Sequence, residues 1–402
     1  GDAMVAAYTT ALARRPGPTR EEPRAVAGLP HETPVLTLRA GTIRLEAVGD
    51  VVERVLGGAP SNSAECLDGT HVLACRMGAG SGRTRRLTWS PVGRVHRREH
   101  RGDLVEVRCS NGRASTCADG QGLFLLPRAR ERRRRLGIGD ATPRPASTLE
   151  PGDPLIVPFS RTLGGLTDLG TVPVFDMIAS HGTPLDLAGA NEWAEACGLA
   201  ITRDERKLGR IPYGSALGLA PPPCARFSTP KGHHPIPLSV PADSFLWVLG
   251  LYAAEGSLGG PAPYGMHLVF SLGAHEGKLL GDLRAHLLRL GVPGDAIGAS
   301  NPHPTAVNVC GYSPPLAILL RDVLKAGGSA LAKRVPDIVF NTSAMQQRIF
   351  LDAFGRGDGC REDATKRTCF GTSSPRLRAG IEYLLSLGGV AYSVSKTPAH
   401  EG

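Results

Sequence analysis

The chain has no Cys-x-x-Cys pair, and its nine cysteines (Cys66, Cys75, Cys109, Cys117, Cys197, Cys224, Cys310, Cys360 and Cys369) match no zinc-binding spacing. An odd count with no basic-then-apolar leader at the start of the sequence argues for reduced thiols in a cytoplasmic protein rather than a disulfide framework. No apolar run is long enough to span a bilayer. Aromatic residues are scarce, at 5%, while 51 Gly and 33 Pro imply many turns and substantial β structure.

What is present is basic. The 402 residues carry a formal net charge of +9, which suits a polyanionic partner and nucleic acid first of all. The bland reading of the same charge is a basic protein from an Arg-rich genome. The length is too great for one ordinary domain and allows two or three.

Residues 1–27 hold a short helical pattern, MVAAYTTALARR, followed by a Pro- and charge-rich linker. From residue 28 to 160 short β-prone runs dominate, among them TPVLTL, TIRLEAV, DLVEVRCS and DPLIVPF, each broken by Gly, Asn or Asp. RARERRRR (128–135) is a solvated loop or, on the sharper reading, a phosphate contact. Residues 161–240 read as a connector with short helices at FDMIASHG and NEWAEACGLA, or as a DNA-contacting extension.

From residue 241 a unit of the form αββαββα occurs twice, the second copy cut short at Gly402. Each copy opens on an apolar helix rich in small residues that ends in an acid and a Gly: LGLYAAEGS (249–257) and LDAFGRGDGC (351–360). Small residues let two helix backbones approach closely. Two such helices packed side by side would bring Glu255 and Asp358 together. Adjacent carboxylates repel unless a cation lies between them, and hard divalent cations favour such oxygens. The bland alternative is an ordinary duplication whose acids sit at helix ends for local reasons.

LGLYAAEGS and LDAFGRGDG resemble the two LAGLIDADG motifs of the dodecapeptide homing endonucleases. LAKRVPDIVF (331–340) resembles the Lys-x-x-Pro segment that precedes the second motif, and TCFGTSSPRLRAGIEYLLSLGGVAYSVSK resembles the strand–helix–strand that follows it. The resemblance covers residues 241–402. It implies an α+β pseudo-twofold saddle that binds double-stranded DNA and cuts it with Mg²⁺. It makes Glu255 and Asp358 the metal-binding catalytic acids and Lys333 the basic residue at the centre, with Lys278 and Lys396 as competitors. With both motifs in one chain, it implies a monomer.

GLPHETPVLTLRAGTIRLEAVGDVVERVL (28–56), LTWSPVGRVHRREHRGDLVEVRCSNGRASTCADGQGLFLLP (87–127) and STLEPGDPLIVP (147–158) resemble an intein, the self-splicing Hint β fold. The departures are specific. The first position, which needs Cys or Ser for an acyl shift, is Gly28. The family's Thr-x-x-His becomes Ala118 and Gln121, and Gln exchanges no proton near neutral pH. The sequence given stops at HEG, with no terminal His-Asn pair. The expectation is therefore a Hint-like scaffold with a degenerate splicing centre carrying a DNA endonuclease. A DNA-binding regulator without cleavage, and a fragment of a splicing-competent intein, are the alternatives.

Overall fold

A computed structural model describes residues 3–8, 28–58, 62–75, 87–100, 104–125, 142–155, 166–216, 219–230, 232–262, 264–362 and 367–396. The run RARERRRR and most of DPLIVPF lie outside the described residues. Helix and strand are mixed throughout, as the α+β expectation requires. No helix among the described residues is long and apolar enough to cross a membrane.

The chain divides into two compact units, one of Gly1–Gly165 with Glu382–Gly402 and one of Leu166–Ile381. This moves two of the expected boundaries. Of residues 161–240, read from sequence as a connector, those from Leu166 fold with the segment that follows them, and the tail from Glu382 belongs with the first unit.

In the first unit, Pro34–Arg39 pairs antiparallel with Thr42–Ala47 and with His71–Cys75, and Leu87–Pro91 completes that sheet. A second sheet runs Leu29–Pro30, Ala3–Tyr8, Arg94–Glu99, Ser63–Glu65. Ala3–Tyr8 is thus a strand, which corrects the helical reading of that segment. Its backbone pairs on both sides, with Leu29–Pro30 and Arg94–Glu99, and this pairing outweighs the weak helix propensity of the Ala-rich run. Helix α1 (Val48–Leu56) covers a small core in which Val52 and Leu56 meet Val92 and Val95.

In the second unit, residues 166–240 build a small sheet in the order Arg210–Pro212, Asp186–Ala188, Arg226–Ser228, Ile236–Pro237. Three short helices accompany it: α2 (Val174–Ala179), α3 (Asn191–Ala196) and α4 (Arg203–Leu208). Leu187, Phe227 and Ile236 are fully buried, and the Phe175 and Phe227 rings meet edge to face at 5.2 Å. That apolar set is why the segment folds rather than serving as a bare linker.

The repeat begins with α5 (Ala242–Glu255), which is apolar all round and accordingly buried along almost its whole length. A four-stranded antiparallel sheet follows, ordered Gly256–Gly259, His267–Gly273, Ala306–Gly311, Ile297–His303. Helix α6 (Gly277–Arg289) packs Leu279, Leu283 and Leu287 inward at four-residue spacing. Next come α7 (Pro314–Ile318), which continues into a π-helical turn at Leu319–Val323, and α8 (Asp337–Phe340).

The second copy supplies α9 (Ala344–Gly357), the hairpin Gly359–Glu362 with Arg367–Phe370, and α10 (Pro375–Leu387). The expected strand VAYSVSK (390–396) is absent. Instead the Val394 N–H donates to the Asn111 carbonyl at 2.7 Å, and the Arg113 guanidinium lies over the Tyr392 ring. The tail is thus held on the hairpin turn at 111–113, with no sheet partner of its own.

Candidate active site

The seam between α5 and α9 is made of small residues. A Cβ on Gly250 would lie 2.3 Å from the Phe350 carbonyl oxygen, and one on Gly357 would lie 2.6 Å from the Ala254 Cβ and 3.0 Å from the Glu255 Cγ. The helix backbones therefore meet at their C-terminal ends. Glu255 is the last residue of α5, and Asp358 directly follows α9.

The electrostatics of the three residues read as one cluster. Burial, and then the neighbouring Asp358 charge, raise the Glu255 carboxyl above the usual range, with Lys333 opposing and Glu276 adding to the rise. Burial raises Asp358 as well, again against Lys333. Burial depresses the Lys333 ammonium to about 8, although Asp358 and Glu255 both favour its charge.

Lys333 is 5% exposed, so its charge needs partners. Its Nζ donates to the Tyr252 carbonyl at 2.6 Å, which also accepts the Gly256 N–H, and to the Ala254 carbonyl at 2.9 Å, both at the end of α5. The side chain also lies over the Tyr252 ring, 5.3 Å from its centre. Ser374 fixes the backbone beneath it, its hydroxyl donating to the Lys333 carbonyl at 2.6 Å.

The structure thus brings Glu255, Asp358 and Lys333 together. Lys396 lies in the other unit and acts electrostatically on Glu106. Lys278 is exposed on α6, where it bears on Asp282. Tyr252, Ser374 and Glu276 complete the surroundings, and sequence reasoning missed all three. Tyr252 stands three residues before the acid inside the motif itself, a readable signal. Ser374 and Glu276 carry no motif signal.

Among the described residues no group of three or more His, Cys, Asp or Glu is arranged to hold a metal ion. The available donors are two carboxylates under mutual repulsion. Such a hard-oxygen pair fits Mg²⁺, which keeps most of its waters and needs only one or two protein carboxylates beside a substrate phosphate. It does not fit a closed structural metal site.

The second set of predicted residues also converges. The Gly28 N–H donates to Gln121 Oε1 at 2.8 Å, and the Ala118 N–H donates to the Gly28 carbonyl at 2.9 Å. Gln121 in turn donates through Nε2 to the Gly122 carbonyl. Gly28 is buried between these groups and offers no nucleophile. Neither Cys66 nor Cys117 is activated: burial raises both thiols, Cys117 donating to the Val105 carbonyl and Cys66 to Asp68.

No family model matches the chain, and no curated protein matches it. Among solved structures, the Mvu mini-intein of transcription factor IIB aligns at 15% identity over 34% of this chain and 69% of its own length, with a TM-score of 0.25. The Mja mini-intein of transcription factor IIB aligns at 14% identity over 31% of this chain and 62% of its own, with a TM-score of 0.21. At those scores the likeness decides neither fold nor chemistry.

Proposed function

We propose that the unit from Leu166 to Ile381 is a Mg²⁺-dependent endonuclease acting on double-stranded DNA, of the two-motif LAGLIDADG kind. The observation that carries this reading is the small-residue seam of α5 and α9, which ends on two half-buried carboxylates and a buried lysine that bear on one another electrostatically. Two half-buried acids raised chiefly by burial, with Asp358 adding to the rise of Glu255, are a poor way to stabilise a helix pair and a good way to receive a cation.

In this reading Glu255 and Asp358 would hold the cation, which would supply positive charge at the phosphate and acidify water there. Water adds to phosphorus and gives a proton to solvent as one P–O bond breaks, so the leaving oxygen must gain charge stabilisation or a proton. Lys333, held at about 8, can supply either near neutral pH. The seam fixes both acids on rigid helices, and Tyr252 and Ser374 fix the lysine.

The first unit is proposed to be an intein-like scaffold whose splicing chemistry is lost. The observation favouring it is the clamp on Gly28, where Gln121 and Ala118 hold the peptide on both sides but no side chain can attack it. The test of the main reading is incubation of long duplex DNA with the full chain, with Mg²⁺ or with a chelator. Discrete fragments with Mg²⁺ alone support it. Salt-sensitive binding without fragments replaces it with a DNA-binding regulator.

A further inference from the structure

Helix α4 is unusual in its own unit because it buries none of its side chains. Leu208 is 69% exposed, and Arg203, Asp204, Arg206 and Lys207 are exposed as well. A six-residue helix is too short to persist in water by itself. This one is held by local chemistry. Thr202 and Glu205 cap it reciprocally: the Glu205 N–H donates to Thr202 Oγ1 at 3.2 Å and the Thr202 N–H donates to Glu205 Oε2 at 2.7 Å. Gly209 closes it in the left-handed conformation, and the Gly189 N–H donates to the Gly209 carbonyl.

The seat beneath it is fixed to the acid-bearing repeat. Arg226, in the strand two away from the one that follows α4, donates to the Pro235 carbonyl and to the Gly291 carbonyl at the end of α6, both at 2.8 Å. The helix is therefore a rigid, outward-facing platform with no packing role of its own.

Its charge is one-sided. Residues 203–210 carry Arg203, Arg206, Lys207 and Arg210 against Asp204 and Glu205. Glu205 is used in the cap, Arg206 pairs with Glu195 at 3.0 Å, and Arg210 bears on Asp186. Arg203 and Lys207 make no ion pair among the described residues, and one helical turn separates them on one face.

We propose that the Arg203–Lys207 face of α4 is a backbone-phosphate contact for duplex DNA, a second foothold beyond the acid pair. It rests on the reading of this unit as a DNA-binding enzyme. The partner follows from charge complementarity: two unpaired cations on one face match successive phosphates, and the exposed Leu208 can lie against a sugar. A helix of six residues positions the duplex rather than reading its bases.

The test is duplex binding by the full chain across a salt series, with a labelled 30-base-pair duplex as probe. Arg203 and Lys207 are exposed and pack against nothing, so a doubly substituted R203A/K207A chain keeps the fold. Its affinity at low salt should fall about tenfold, and the slope of log affinity against log salt should flatten by about two. The exchange variant R203K/K207R should restore both. If R203A/K207A binds like the parent at every salt concentration, the α4 contact is wrong while the endonuclease reading stands. If the parent binds no duplex at all, the contact and the endonuclease reading fall together.

Discussion

Lys333 Nζ donates to the Tyr252 carbonyl at 2.6 Å, so the basic residue of the cluster also closes the end of the helix that carries Glu255. The structural and the chemical roles of this lysine are therefore joined. Lys333→Ala leaves two helix-end carbonyls and two carboxylates without their cation. It should lower stability by about 2–4 kcal/mol, measured by urea unfolding. Lys333→Arg keeps the charge at a higher titration point. Recovery of stability with a displaced pH–rate profile would mark a role in moving a proton, whereas full recovery of both would mark a structural role alone.

The pH dependence has two opposed parts. Lys333 is depressed from 10.5 to about 8 on folding. Between those values the unfolded chain binds more protons, so stability should rise with pH there, by about 3 kcal/mol in total. Glu255 and Asp358 are raised on folding, so in the window just above the ordinary carboxylate range the native chain binds more protons and stability should fall as pH rises. Mg²⁺ should therefore raise the melting temperature at pH 7 and do so less at pH 5. Glu255→Gln/Asp358→Asn should abolish the shift. An equal shift in parent and variant would place the cation elsewhere.

The seam tolerates no larger residue. Gly250→Ala sets a methyl 2.3 Å from the Phe350 carbonyl oxygen, backbone that cannot swing aside. The helices must separate, at about 1–3 kcal/mol or more. Cleavage should be lost with stability only partly reduced. Ala at Gly281, inside α6 where a Cβ would meet nothing within 4 Å, is the control and should leave cleavage unchanged and stability equal or higher by up to about 1 kcal/mol.

The clamp on Gly28 should be structural and chemically silent. Gln121→Ala removes the acceptor of the buried Gly28 N–H and should cost about 1–3 kcal/mol. Treatment of the parent with a strong thiol should leave its mass unchanged. Release of a fragment ending at Ala27 would show that the acyl shift survives and that the degenerate reading of this centre is wrong.

The sequence made the two helix ends legible because close packing writes itself as Gly and Ala at fixed spacing before an acid. Gly250 and Gly357 are where that pattern and the contact coincide. Gly28 and Gln121 were legible through resemblance, not through any local signal. Other features were not readable. The fold of 166–240 depends on Leu187 joining Phe227 and Ile236, which lie 40 or more residues further along, between prolines that suggest a linker. Val394 bonds to Asn111, 283 residues earlier in the chain, so no local pattern around VAYSVSK could foretell the loss of its strand. The strand at Ala3–Tyr8 likewise depends on partners at Leu29–Pro30 and Arg94–Glu99, and its own residues favour helix.

The central claim is that Glu255 and Asp358 act together on a phosphodiester. It is tested most directly by pairing a gel shift with a nicking assay on the parent, Glu255→Gln and Asp358→Asn, each with Mg²⁺ and duplex DNA. The account predicts that the parent cuts, and that both variants bind as well or better, because each loses a negative charge facing a phosphate, yet cut nothing. Variants that cut as fast as the parent would contradict it.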